Sequence, residues 1–435
     1  MRISDTEFDV IVAGSGPGGA TVARELSRSG KKVSLIEKGK DHKFIGNPVS
    51  ALFYVDRAGF LFSEEGLNII RAITTGGSTI LYCGSAAPAP EWLKTKYGID
   101  ITTEVNDTIT ELKIKPLPEE LIGKTALRIM DSANELGYKW EVLPKFMDPA
   151  RCKFNCSASC MMGCTCGAKW TAREYIKQAV DGGAKLFTET SAEDVLIQNG
   201  ECAGLIVKQD GLRKAIKSKI TVIAAGGLGT PIILQRAGIS DAGHGFFCDP
   251  TVMVYGVSRE RGTSGDPPMT VGSYEFYDSD GFMLSHLIDP WAMFPIAMYY
   301  KGLRYISKII HYRKLLGIMI KVKDELSGSI SPEGKISKPL TQQDRYRLHR
   351  AINIARKILI KSGADPDSIF TSPVRGTHPG GTARIGHVID NNLETKIRNL
   401  FVCDASVFPE APDRPLVLSI IGFGKRLAKY LFSRM

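Results

Sequence analysis

The sequence contains no uninterrupted apolar run of the ~18–20 residues that a membrane-crossing helix needs, so no spanning segment is expected. Its start, MRISDTEFDVIVAG, has no basic patch leading into a long apolar stretch and a small-residue cleavage site. The expectation is a chain made and kept in the cytoplasm. There is no internal repeat and no low-complexity tract, so neither a repeat array nor a disordered linker is expected. No nucleic-acid-binding module accompanies the basic excess of +10, and no nucleic acid partner is expected. The charge fits an anionic surface instead, either lipid headgroups or an acidic partner protein.

What is present is ordinary globular composition: 435 residues, 43% hydrophobic and 23% charged, enough for two or three cores. The first unit reads strand, turn, helix, strand: Phe8 to Ala13, Ala20 to Ser29, Lys32 to Ile36. Asp41 to Asn68 has no clear periodicity and reads as loop-rich. Pro116 to Tyr138 contains a helix, and Lys169 to Ala179 is another. Ala184 to Ile223 alternates as a small meander turning at Asn199-Gly200 and Asp210-Gly211. Ser327 to Lys338 reads as a hairpin, and Gln342 to Lys361 as an amphipathic helix. From Asn399 the order is strand, loop, helix.

Gly14-Ser15-Gly16-Pro17-Gly18-Gly19 satisfies G-x-G-x-x-G through Gly14, Gly16 and Gly19. In such a turn the first glycine permits the bend. The second lets backbone approach a pyrophosphate, and the third lets helix pack on strand. The helix N-terminus then presents free N–H groups and a positive dipole end to the phosphates. Glu37 closes the second strand, where an acidic side chain bonds a ribose hydroxyl. The pattern binds a dinucleotide, FAD or NAD alike.

Four further segments bear on that choice. They are Gly76-Gly77-Ser78-Thr79 with Leu81-Tyr82; Ala225 to Leu234, ending Ala237-Gly238-Ile239; His378-Pro379-Gly380-Gly381-Thr382-Ala383-Arg384; and Val402-Cys403-Asp404-Ala405-Ser406-Val407-Phe408-Pro409. In this order, across nearly the whole chain, they resemble signatures of the glucose–methanol–choline oxidoreductases. The resemblance implies an α/β chain: a doubly wound, Rossmann-like FAD-binding domain and a second α+β substrate domain built on an antiparallel sheet. It implies that residues 1–88, 167–242 and 372–435 form the FAD-binding domain, and 89–150 and 243–371 the substrate domain. Residues 151–166 are a cysteine-rich link. It implies flavin contacts at Gly76, Gly77 and Ser78, a ribityl contact at Asp404, a backbone contact to adenine at Val195, and an active-site base at His378. An imidazole near its unperturbed pKa accepts a hydroxyl proton at neutral pH while hydride leaves the adjacent carbon.

One position departs from the family pattern. Relatives carry a second histidine or an asparagine shortly before the last helix, and Pro415 stands there, with Arg414 beside it. A proline side chain neither donates nor accepts. Arg414 replacing the missing group, by binding an anion or polarising an oxygen, is one expectation. Three functions stay open: hydride removal from a hydroxyl-bearing, hydrophobic substrate; reduction of carbon–carbon double bonds in an isoprenoid lipid; and a flavin/iron–sulfur electron-transfer subunit.

Cys152, Cys156, Cys160, Cys164 and Cys166 fall within one short stretch, ahead of Gly167-Ala168-Lys169. Thiolates are the usual ligands of iron–sulfur clusters, and a cluster here would pass electrons singly from flavin to a protein or quinone acceptor. Structural thiols, zinc and redox disulfides are the other readings. Pro290 to Lys323 interleaves aromatics and aliphatics with Lys301, Arg304, Lys308, Arg313, Lys314 and Lys321. As a helix with one apolar and one basic face it would lie at the inner surface of an anionic membrane, and as a core helix it would merely show a solvated basic side.

Overall fold

In the computed structural model of the protein, residues 7–154, 159–260, 262, 265–412 and 414–435 are described. The strand Phe8–Ala13 is apolar except for the half-buried Asp9 near its start, because the rest is buried on both sides. It runs parallel to Val33–Ile36 on one flank and to the end of Leu212–Ile223 on the other. Lys185–Phe187 extends the sheet beyond Val33–Ile36, and Leu400–Val402 lies beyond Thr221–Ile223. A strand from the C-terminal region thus completes a sheet begun at residue 8. The long strand Leu212–Ile223 leaves this sheet at its first half to pair antiparallel with Glu201–Gln209, which pairs in turn with Thr190–Gln198. Both turns of this meander fall where the sequence puts them. Asn199, Gly200, Asp210 and Gly211 all have positive φ, as tight hairpin turns require.

The helix Pro17–Arg28 follows the glycine turn and packs between Ala172–Asp181 and Val417–Arg434. Gly18 is obligatory there: a Cβ on it would stand 1.9 Å from the carbonyl oxygen of Cys403. The helix Thr102–Glu111 also belongs to this half. Its Val105 and the preceding Ile101 pack against Gly422 of the last helix, so this segment leaves the substrate domain to which the sequence assigns it.

The second sheet is antiparallel at its centre. Pro250–Val257 pairs with Leu315–Val322, followed outward by Phe282–His286, Val271–Ser273 and Glu141–Val142. On its other side lie Phe370–Thr371, Arg375–Gly376 and then Asn68–Ile69. Helices Lys124–Glu135 and Gln342–Lys361 cover one face, burying Ala126, Ile129, Ala351 and Ile358 against Val252, Val254, Ile318 and Ile320. The strand period of two turns Thr251, Met253, Met319 and Lys321 to the opposite face, toward the first domain.

The basic aromatic segment is not one helix. It comprises the helix Phe294–Lys301, a run of 3-10 turns over Leu303–Lys314, and the buried strand Leu315–Val322. Gly302, at φ 134, breaks the first from the second. Leu315, Leu316 and Lys321, expected on a solvent- or lipid-facing helix, are therefore interior. Conversely, the loop-rich stretch holds a helix, Pro48–Tyr54, whose periodicity is masked because its apolar residues point outward as well as inward.

Candidate active site

One continuous cavity of ≈ 980 Å³ lies between the two sheets, running from the glycine turn to the second sheet. Gly14, Gly16, Glu37, Gly77, Ser78, His378 and Asp404 all line it. The two glycine-rich motifs meet: a Cβ on Gly77 would lie 3.0 Å from the Cα of Gly16, and the N–H of Gly76 donates to Ser15 Oγ at 3.1 Å. Gly19 packs the helix onto Gly14, whose carbonyl oxygen would be 2.0 Å from a Cβ there.

Two helices open onto the same cavity with no cap from their own N-cap side chains and no acid in their first turns, Pro17–Arg28 and Gly226–Arg236. The first offers free N–H groups and a positive dipole end, whereas the N–H of Gly226 in the second is taken by Asp404 at 2.8 Å. Gly16 has no atom within 4 Å of its would-be Cβ, so the space above this backbone is open. That cradle fits the pyrophosphate of FAD. Glu37 is buried and fixed: it accepts from the N–H and Oγ of Ser15 at 3.1 and 2.5 Å and from the N–H of Gly39 at 2.6 Å. Burial raises its pKa.

Asp404 accepts from four donors of its own chain: the N–H and Oγ of Ser406, the N–H of Gly226 and the hydroxyl of Thr230. Its carboxylate thereby fixes the second helix N-terminus against the C-terminal strand. Ser78 Oγ accepts from the N–H of Ala72 at 3.1 Å. Val195 is buried in the meander, paired with Leu205, and does not line the cavity. Thr190 to Glu193, earlier on the same strand, line it instead.

At the far end, His378 is the centre of a charged group that the sequence motifs do not announce. Its Nδ1 lies 2.8 Å from Oδ2 of Asp249, a fully buried carboxylate. Lys321 Nζ lies 3.1 and 3.3 Å from the two ring nitrogens and donates to Thr377 Oγ1 at 3.0 Å. Near-equal distances to both nitrogens put the ammonium over the ring rather than in line with either lone pair. With Nδ1–H donated to Asp249, the lone pair of Nε2 is the free acceptor. Burial, and then the Lys321 charge, hold His378 well below the usual histidine range, so the imidazole is neutral at pH 7. Burial pushes Asp249 up to about 7, against the pull of Lys321. A second buried acid, Asp289, accepts from Arg375 at 2.6 Å and from the Tyr255 hydroxyl at 2.7 Å. Its Oδ1, like Oδ1 of Asp249, has no partner among the described residues.

Arg414 does not join this group. Its guanidinium sits 4.2 Å from the centre of the Tyr277 ring and its Nε donates to the carbonyl of Pro412, whereas Pro415 and Leu416 line the cavity. The polar side chain beside His378 is Lys321, from a strand on the second sheet. Its one sequence signal is a lysine inside an otherwise apolar run, LLGIMIKV.

The cysteine stretch is only partly gathered. Cys164 and Cys166 have sulfurs 3.5 Å apart, and with Cys152 they pack around Leu117, Leu121 and Met147. Cys160 is buried outside that cluster, and its carbonyl accepts from the ammonium of Lys169 at 2.7 Å. Burial raises the Cys164 thiol, which favours its protonated form. Among the described residues, no three His, Cys, Asp or Glu side chains come together to hold a metal, and Cys156 lies outside those residues. The described cysteines do not fit an iron–sulfur cluster.

Residues 67–261 and 331–424 match the GMC oxidoreductase family. An uncharacterised protein of Methanocaldococcus jannaschii is 33% identical, over 97% of this chain and 99% of that one. Long-chain-alcohol oxidase FAO3 of Arabidopsis thaliana is 24% identical over 93% of this chain, which spans 65% of the plant protein. Among solved structures, pyridoxine 4-oxidase from Mesorbium loti superimposes with a TM-score of 0.74 at 16% identity, covering 97% and 99% of the two chains. Formate oxidase of Aspergillus oryzae superimposes at 0.77 with 13% identity, covering 100% and 99%. At these identities the two structures establish the fold.

Proposed function

The chain belongs to the GMC oxidoreductase family of FAD-dependent enzymes acting on CH–OH donors, and from that premise we propose that it oxidises the hydroxyl of an elongated apolar alcohol. The observation that carries this is the His378–Asp249 pair, with Nε2 left free at a cavity of apolar walls. Six of the twelve methionines line that cavity: Met161, Met162, Met253, Met269, Met293 and Met319. Thioether side chains are unbranched and adaptable, and they suit a flexible chain better than a rigid polar ring.

Gly14–Gly16 and Gly76–Ser78 would hold FAD, which would supply a two-electron acceptor for the hydride of the carbinol carbon. Nε2 of His378 takes the hydroxyl proton as the alcohol becomes a carbonyl. Asp249 fixes the tautomer and compensates the positive charge that develops on the ring. Lys321 takes the place of the missing family partner. Its ammonium bonds the substrate oxygen as charge builds there and opposes protonation of the resting imidazole. A quinone or an acceptor protein would take up the two electrons. No electron is routed through the cysteines, because the described ones do not gather as ligands.

The charged pair and the large cavity favour a substrate-transforming enzyme over an electron-transfer subunit. Lys321 beside His378 removes the reason to prefer double-bond reduction. Mixing the FAD-loaded protein anaerobically with straight-chain and isoprenoid alcohols of rising length tests the reading. Flavin absorbance should bleach, the carbonyl product should appear, and kcat/KM should rise with chain length. If no alcohol reduces the flavin, the assignment is wrong.

A further inference from the structure

Exposed apolar side chains are not spread evenly over the surface. Of twenty-one large ones among the described residues, twelve come from two segments, 44–60 and 291–310. The most exposed are Phe44 at 82%, Ile310 at 80%, Leu303 at 74% and Phe53 at 72%. The helix Pro48–Tyr54 buries only Ala51 and Tyr54 and turns Val49, Leu52 and Phe53 to solvent, the reverse of a helix built for water. The two segments meet: the Tyr300 ring lies 5.9 Å from Phe60 and 5.5 Å from Phe62. They meet at the cavity mouth, where Leu52, Phe60, Ile296 and Tyr300 are both exposed and cavity-lining.

Charge is equally one-sided. Between residues 290 and 314 there are five lysines and arginines and no aspartate or glutamate. Arg304, Arg313 and Lys314 are exposed. A contiguous apolar patch with a cationic rim, whose one acid, Asp56, is paired with Arg71 at 2.6 Å, has the composition of an interfacial membrane surface. No helix among the described residues is long and apolar enough to cross a bilayer, so this surface would lie on it.

The geometry points to a docking face for an anionic phospholipid bilayer, formed jointly by residues 44–60 and 291–314 around the cavity mouth. Docked there, the cavity opens into the acyl layer, and an apolar alcohol enters without crossing water. The second half of this inference rests on the proposed substrate class; the docking does not.

The test uses FAD-loaded protein with vesicles of phosphatidylcholine alone or with one third phosphatidylglycerol. Wild type should co-sediment with the anionic vesicles, and binding should fall as salt rises. Trp291, 53% exposed, should report insertion by a blue shift and by quenching from brominated acyl chains. The exposed-residue triple variant Phe53→Ser/Leu303→Ser/Ile310→Ser, which leaves the cavity lining intact, should lose binding yet keep its rate of flavin reduction by a short, water-soluble alcohol. The triple variant Arg304→Glu/Arg313→Glu/Lys314→Glu should bind anionic vesicles more weakly by about tenfold or more. Wild type that never binds, or variants that bind as well as wild type, would overturn the docking face. A dimer that the Ser variant abolishes, without vesicle binding, would assign the patch to a second copy instead. Vesicle binding with no reduction by any alcohol would keep the docking face and remove the substrate reading.

Discussion

The two ends of the cavity are built from different materials. At the flavin end the chain presents backbone: glycines, helix N-termini, and two acids whose oxygens are taken by neutral N–H and O–H donors. At the substrate end it presents buried titratable groups packed against one another, Asp249 with a neutral His378 and Lys321, Asp289 with Arg375. A backbone cradle is fixed by local geometry and tolerates little change around it. A cluster of ions in a low-dielectric interior stays together only while each is paired, and its protons are shared among the members. The flavin end is therefore a rigid seat, and the substrate end is where protonation is set.

The largest effect that would test this contrast is at the seat. Gly16 has φ −65, allowed for any residue, and open space where a Cβ would go. Gly16→Val should fold normally and purify without flavin, as read by the ratio of flavin to protein absorbance. At Gly227 a Cβ would stand 2.2 Å from the carbonyl of Pro379, and the same substitution should destabilise the fold itself. If both variants keep flavin, the seat is not where these glycines put it.

At the other end, His378→Ala should retain flavin and slow its reduction by alcohol by about 10²-fold or more, the scale of a lost general base. Stopped-flow reduction measures it, and an unchanged rate would make His378 structural. The pH dependence sharpens the comparison. Neutral His378 is the active form and its pKa is held down, whereas Asp249, needed ionised beside it, is pushed up to about 7, so the rate should fall as pH drops through neutrality and Asp249 takes up its proton. Lys321 lowers His378 and also lowers Asp249. In Lys321→Met both restraints vanish with the same sign, so the acid limb should move to higher pH. A limb that stays where it is would mean that Lys321 is not part of the shared group.

This contrast also explains what could be read from the chain. Gly14-x-Gly16-x-x-Gly19, Gly76-Gly77 and the His378 segment are legible because a backbone seat constrains several consecutive residues at once. Asp249, Lys321, Asp289 and Arg375 each contribute one side chain, and the first three stand 129, 57 and 86 residues from the partner they meet. No local pattern marks them, and Lys321 alone looked like one more base in a basic stretch. Arg414 misled for the complementary reason: it stands one residue before the family position, and its cation lies over the Tyr277 ring. The outward-facing helix Pro48–Tyr54 was illegible because amphipathic periodicity assumes a water-facing side.

The smallest expected effect lies at the cysteines, where a conspicuous sequence pattern meets an ordinary interior. If Cys164 were a ligand, its loss would remove or convert a whole cluster and change the visible spectrum. In the structure its sulfur accepts from the N–H of Lys169 at 3.4 Å and packs in a small apolar cluster with Leu117 and Leu121. Burial favours its thiol form, which neither ligates metal nor attacks as a nucleophile without losing the proton. Cys164→Ala should then remove one sulfur's contacts and destabilise by about 1 kcal/mol, with flavin content and reduction rate unchanged. Anaerobically purified wild type should contain only trace iron against flavin. Stoichiometric iron in wild type that disappears from Cys164→Ala would make the cysteine stretch a second redox centre, and the electrons would leave the flavin through it.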